Sequence, residues 1–293
     1  MFEGSIVALV TPFKDGEIDE KRLAERVEFQ VEGGTSCLVP CGTTGESPTL
    51  SHEEHGRVIE LVVRFARKRV QVMAGAGSNS TREAIKLTRH AKSVGADGAL
   101  VVVPYYNKPT QQGMIEHFRA VAREAILPLV LYNIPGRTGV NMLPATVIEL
   151  AKSEKNIVGI KESSGNLDQA TEIVQALGPG FDVLSGDDSL TLPILSVGGK
   201  GVISVLANIV PRDVAEMVAA WKKGDVKRAQ ELHLKTYPLV NALFMETNPI
   251  PLKTAMDRLN MCGKEIRPPL FPMSMENEKK LEEVLRNYGL LGL

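Results

Sequence analysis

The chain has 293 residues, 43% of them hydrophobic, which is enough to bury a sizeable core, and its 34 basic and 35 acidic side chains leave a net charge of -1. It contains no basic block, no acidic tail and no apolar run near the roughly 18 residues of a membrane span, which argues against nucleic acid or a membrane as partner. The opening MFEGSIVALVTPF has an early acidic residue and no leader-like pattern, so a cytoplasmic protein is expected.

Short β-rich runs alternate with amphipathic helical patterns along the chain. SIVALVT (5–11) precedes a helix over 19–33, TSCLVPCG (35–42) one over 51–68, VQVMAGAG (70–77) one over 80–94, and GALVVVPYY (98–106) one over 111–125. LPLVLYNIP (127–135) then precedes 143–153, NIVGIKES (156–163) precedes 166–177, FDVLSGDD (181–188) leads into 188–197, and KGVISVLAN (200–208) precedes 211–222. Ser51-xx-Glu54 and Ser80-xx-Glu83 read as capping boxes. Eight βα units predict an α/β protein with a closed (β/α)8 TIM barrel over 1–224. Helices at 225–245, 250–260 and 276–287 form a C-terminal helical extension over 225–293. An open doubly wound sheet is the rival, because GAGSNS with Asp97 about 20 residues on resembles a damaged dinucleotide fingerprint. Ser80 stands where its third glycine belongs and is wanted as an N-cap, and no second domain follows.

Cys37 and Cys41 lie about 13 Å apart in an extended strand and cannot bridge, so with Cys262 they suit a reducing compartment. No cysteine–histidine metal cluster, Walker loop or GxSxG elbow is present, and His52 and His55, three apart, miss the zinc-protease spacing and read as a solvated helix face. No metal or organic cofactor is expected.

In such a barrel the site gathers where the strands end. The sixth run ends on Lys161, either a rim lysine or one desolvated enough to supply the neutral amine that attacks a ketone. The fifth ends on Tyr132, whose hydroxyl would approach that amine from a strand about 4.8 Å away, or would simply line the mouth. Gly42-Thr43-Thr44-Gly45-Glu46 after the second run can hold a carboxylate with hydroxyls and backbone N–H groups, and Arg137 in PGRT can grip a second one or lie free on the surface.

GTTGES (42–47), PYYNKP (104–109), YNIPGRTG (132–139), GIKESSGN (159–166), LSGDD (184–188), GVISV (201–205) and NPIP (248–251), in this order, resemble the 4-hydroxy-tetrahydrodipicolinate synthase (dihydrodipicolinate synthase) family of pyruvate-dependent Schiff-base aldolases. The resemblance covers essentially the whole chain. It implies that Lys161 forms an imine with pyruvate, that Tyr132, Thr43 and Tyr106 relay protons, and that Thr44 binds the pyruvate carboxylate, with Gly186 and Ile203 lining the pocket. Arg137 would meet the carboxylate of L-aspartate 4-semialdehyde. Tyr106 would reach a neighbouring subunit's site, which makes a homo-oligomer, a dimer of dimers, the expected assembly. Ser47, Pro48, His52, His55, Asn79, Glu83 and Tyr105 match positions where L-lysine inhibits sensitive members. Pro48 departs from a small residue and would stiffen its loop; Gly136 departs from a common serine and would loosen the loop presenting Arg137.

An N-acetylneuraminate or 2-keto-3-deoxy sugar-acid lyase of the same superfamily would share Lys161 and Tyr132, but not the need for Arg137 and the Thr43–Thr44 pair. A barrel that binds pyruvate without turnover would have no reason to keep all of these groups.

Overall fold

The structure, a computed structural model, describes residues 1–292. Eight parallel strands close on themselves: β1 (Gly4–Ala8), β2 (Cys37–Val39), β3 (Gln71–Gly75), β4 (Gly98–Val102), β5 (Leu129–Asn133), β6 (Ile157–Glu162), β7 (Asp182–Ser185) and β8 (Gly201–Ser204). β1 pairs with β8 on one side, Ile6 opposite Ile203, and with β2 on the other, Ile6 opposite Cys37. The sheet therefore has no edge, and the open-sheet rival is excluded.

Helices α1 (Glu20–Glu32), α2 (His52–Ala66), α3 (Thr81–Ser93), α4 (Gln111–Ala125), α5 (Pro144–Ser153), α6 (Leu167–Leu177), α7 (Thr191–Ser196) and α8 (Pro211–Lys222) cover the outside. Strand alternation sorts the core into two shells. Ile6, Val39, Met73, Leu100, Val130, Leu184 and Ile203 pack inside the barrel, while Val7, Leu38, Val72, Leu129, Leu131 and Val183 face the helices. Phe2 plugs the amino end of the barrel, against Gly98 at the start of β4, where a β-carbon would collide with its ring.

Several local expectations change. Ser51 and Glu54 form the reciprocal capping box, whereas Ser80 caps nothing with its side chain: Glu83 turns instead to the hydroxyl of Ser78, which in turn receives the Ser80 N–H at 3.0 Å. The 188–197 helix is a 3-10 turn (Asp188–Leu190) followed by the short α7. PGRT, expected as a loop loosened by Gly136, is a helical turn (Pro135–Thr138), its Arg137 and Thr138 N–H groups both donating to Ile134 O at 3.0 Å.

Beyond the barrel lie α9 (Val226–Leu243), α10 (Ile250–Arg258) and α11 (Met275–Tyr288). No helix among the described residues is long and apolar enough to cross a membrane. These C-terminal helices are fastened to the loop after β2 by charge. Lys253 of α10 and Glu46, each 1% exposed, form an ion pair; Lys253 Nζ also donates to Glu265 O at 2.8 Å and lies 4.1 Å from the Phe13 ring centroid. The Arg267 N–H donates to the second Glu46 oxygen at 3.1 Å, and its guanidinium grips both oxygens of Glu54. Burial pulls the Lys253 ammonium below its usual pKa, while the charge of Glu46 opposes that shift. Removing one partner leaves a buried charge unpaired. Lys253→Met is therefore expected to cost about 3–5 kcal/mol in urea denaturation, and much less when Glu46→Gln is also present; equal costs in the two backgrounds would show that the pair is not coupled.

Candidate active site

The carboxyl ends of β2 to β5 and the segments that follow them line a cavity of about 500 Å³. β5 and β6 bring two groups together at its inner side: Tyr132, in the cavity wall, stands opposite Lys161 in register, so both side chains point into the barrel. Lys161 is 6% exposed, which removes the rim reading, and its Nζ lies 4.2 Å from the Tyr132 ring centroid. The expected approach of hydroxyl to amine is replaced by an amine over the ring face, the geometry of a cation–π contact. On the outer face of β6, buried Glu162 accepts from Ser164 N (2.6 Å), Gln169 Nε2 (3.0 Å) and Asn133 Nδ2 (3.1 Å), pinning the strand that carries the lysine. Burial raises the carboxyl pKa of Asp187 and Asp188 after β7, and the charge of Lys161 opposes the shift. Asp188 spends its oxygens on Ser204 and on the Val205 and Leu206 N–H groups, fixing the turn after β8.

Thr43 lines the cavity, with Cys41, Gly42, Ile134, Arg137 and Thr138. Burial raises the Cys41 pKa, which holds it as an unreactive thiol. Thr44 is buried beside the cavity and its hydroxyl accepts from Asn248 Nδ2 at 3.0 Å. The Asn248 carbonyl in turn accepts from Arg137 at 3.2 Å, so one residue of the C-terminal region ties both expected carboxylate holders together. Asn248 also leaves its buried Oδ1 unpartnered. Read from strand ends, the sequence passes over Asn248, because it lies outside the βα series; NPIP entered only as a motif of the family resemblance, with no role for its asparagine. Gly186 abuts Lys161 Cε, but its N–H is spent on Glu162 O at 2.8 Å; Ile203 is packed inside the barrel. Tyr106 does not join these groups: it is 89% exposed with φ 71°.

The same cavity runs on past Ser47, Pro48, His52, His55, Glu83 and Tyr105. Asn79 is not in its wall; its carbonyl accepts from Asn107 at 2.9 Å. His52 Nε2 lies 3.2 Å from Glu83, while His55 is buried, which corrects the solvated-face reading for that residue.

Fold and cavity together define a (β/α)8-barrel enzyme with its centre at the carboxyl ends of the strands. The chain belongs to the dihydrodipicolinate synthetase family, whose model matches residues 1–288. It is 56% identical over 291 residues to the 4-hydroxy-tetrahydrodipicolinate synthase of Geotalea uraniireducens (strain Rf4), covering 99% of this chain and 100% of that one. The crystal structure of dihydrodipicolinate synthase from Aquifex aeolicus superposes with a TM-score of 0.97 at 57% identity over 99% of both chains. The lysine-bound enzyme from Cyanidioschyzon merolae gives 0.96 at 44% identity, again over 99% of each.

Two buried histidines make this barrel acid-sensitive. Burial pushes both His55 and His117 down to about 4; for His55 the neighbouring His90 and His52 add to the shift. An unfolded chain titrates near 6.5. Between those values the unfolded state binds protons that the folded state refuses, so stability held above pH 6.5 is lost as pH falls toward 4. His117→Leu is expected to flatten the slope of urea stability in that window by about 1.4 kcal/mol per pH unit; an unchanged slope would mean that His117 is already protonated in the folded state.

Proposed function

We propose that the chain condenses pyruvate with L-aspartate 4-semialdehyde to 4-hydroxy-tetrahydrodipicolinate, on the diaminopimelate route to lysine, through an imine on Lys161. The observation that carries this reading is the buried Lys161 in register with Tyr132, in a chain of this family. Lys161 Nζ attacks the pyruvate ketone and water leaves. The protonated imine draws electrons from the methyl group, whose proton passes to Tyr132 in a relay with Thr43 and a neighbouring subunit's Tyr106. The enamine attacks the aldehyde carbon. The amine of the bound product then adds to the imine carbon, expelling Lys161 and closing the ring, so lysine does the work of a cofactor.

Thr44 holds the pyruvate carboxylate, with Gly186 and Ile203 lining the pocket, and Arg137 takes the carboxylate of the aldehyde. The Asn248 link between Thr44 and Arg137 supports this division. A left-handed backbone at an exposed, bulky Tyr106 is a conformation that needs outside support. A dimer that packs Tyr106 into its neighbour, paired again into a tetramer, supplies that support. Six of the seven positions expected for L-lysine line one cavity with the catalytic end, which supports feedback inhibition there. Three free, buried cysteines suit the cytoplasm.

Consumption of pyruvate with L-aspartate 4-semialdehyde, coupled to the following reductase, tests the reading. Arg137→Ala should lower kcat/KM by about 100-fold, Asn248→Ala by about tenfold, and Lys161→Ala should abolish the mass gain left by pyruvate and borohydride. Trapping without turnover of this aldehyde would move the chain to the sugar-acid lyases. A rate indifferent to millimolar-scale L-lysine would remove the inhibitor.

A further inference from the structure

One polar group beside Lys161 is left unused by the chemistry above. Ser163 comes just after the last residue of β6, two positions beyond Lys161, so strand alternation returns it to the barrel-facing side. Its N–H donates to Asn133 O at 2.9 Å, but its hydroxyl oxygen is buried and has no hydrogen-bond partner. Native chains rarely leave such a group unmatched unless something else satisfies it. Gly186 gives its position: a β-carbon there would overlap Ser163 Oγ and stand 3.0 Å from Lys161 Cε. Hydroxyl and lysine stem thus crowd the same face of one glycine, and only the absence of a side chain at 186 leaves room for both.

The direction of the strand orders the two groups. The mouth lies at the carboxyl ends, so Ser163 sits mouthward of Lys161. Pyruvate joined to Nζ has its carboxylate assigned to the Thr43–Thr44 loop, whereas the second carbonyl compound arrives from the mouth. We infer that Ser163 is a further catalytic residue, whose hydroxyl donates a hydrogen bond to the carbonyl oxygen of the incoming aldehyde; this rests on the imine reading of Lys161. As the enamine electron pair forms the carbon–carbon bond, the carbonyl π pair moves onto that oxygen. The oxygen takes its proton from the Tyr132 hydroxyl, which received one from the pyruvate methyl group. Ser163 keeps its own proton and stabilises the charge while it develops.

The full-length enzyme with Ser163→Ala, and with Ser163→Thr, which retains the hydroxyl, tests this. With Ser163→Ala, borohydride trapping of pyruvate should keep the parent's half-saturation while kcat with the aldehyde falls about tenfold or more, and Ser163→Thr should restore most of the loss. A kcat within about twofold of the parent in Ser163→Ala would overturn the assignment. So would equal losses in both variants, which would mean that shape matters and not the hydroxyl, or a changed pyruvate half-saturation with kcat intact. If the parent itself fails to trap pyruvate, the imine reading falls and this inference falls with it.

Discussion

The register between β5 and β6 is the constraint on which the rest of the site depends. Tyr132 opposite Lys161 places a phenol and an amine side by side inside a barrel otherwise filled mostly with apolar side chains. Such a pair is tolerable only if the strands cannot slide, because a slip of one residue would turn the lysine outward and its buried neighbour Glu162 inward. The outer face prevents that slip. Glu162 is bonded by an amide from β5, an amide from α6 and the backbone just beyond β6 itself, so its charge is spread over neutral donors that all belong to the same wall of the barrel. Lysine and glutamate, adjacent in sequence and opposite in direction, hold each other's faces.

The second organising feature is how far the chain goes to brace one loop. Thr43 and Thr44 follow a strand of only three residues, and nothing local gives GTTGE stiffness beyond its own turns. The bracing comes from the C-terminal helices and the segment around them: Asn248 on Thr44, Lys253 on Glu46, and Arg267 on Glu46 and Glu54. Two of these contacts involve charges in the interior, where the cost of desolvation makes any alternative placement of the loop expensive. The helices thus act as a clamp on the half of the site proposed to receive carboxylates.

The barrel itself was legible in the sequence because its signal is repetitive: eight apolar runs, each followed by a helical pattern, overwhelm errors at any one boundary. The central residues were legible for a related reason, since Lys161 and Tyr132 stand where apolar runs stop. What escaped depended on distance or on competition. Asn248 gives no local sign of touching Thr44, 204 residues away. Ser80 looked like a cap, but Ser78 offered its hydroxyl to Glu83 first. The 188–197 segment reads as one helix by periodicity, yet Asp188 is drawn off to bind the turn after β8, which tightens the first turn into 3-10 form. His55 was read as solvated from spacing alone, which says nothing about the wall of a cavity. Tyr106 is expected to meet a partner beyond its own chain, and within the single chain it lies in solvent.

The clamp also bears on the order in which the protein can be made. A ribosome delivers residues from the amino end, so all eight strands are available before Lys253 and Arg267 leave the exit tunnel. Until then Glu46 has a buried seat and no cation to fill it, and Thr44 lacks its amide. A barrel closed at that stage would hold Lys161 and Tyr132 in register beside a Thr43–Thr44 loop that lacks these contacts. The loop that carries Thr43 and Thr44 is therefore braced only after every strand has been delivered, by side chains that lie beyond the barrel.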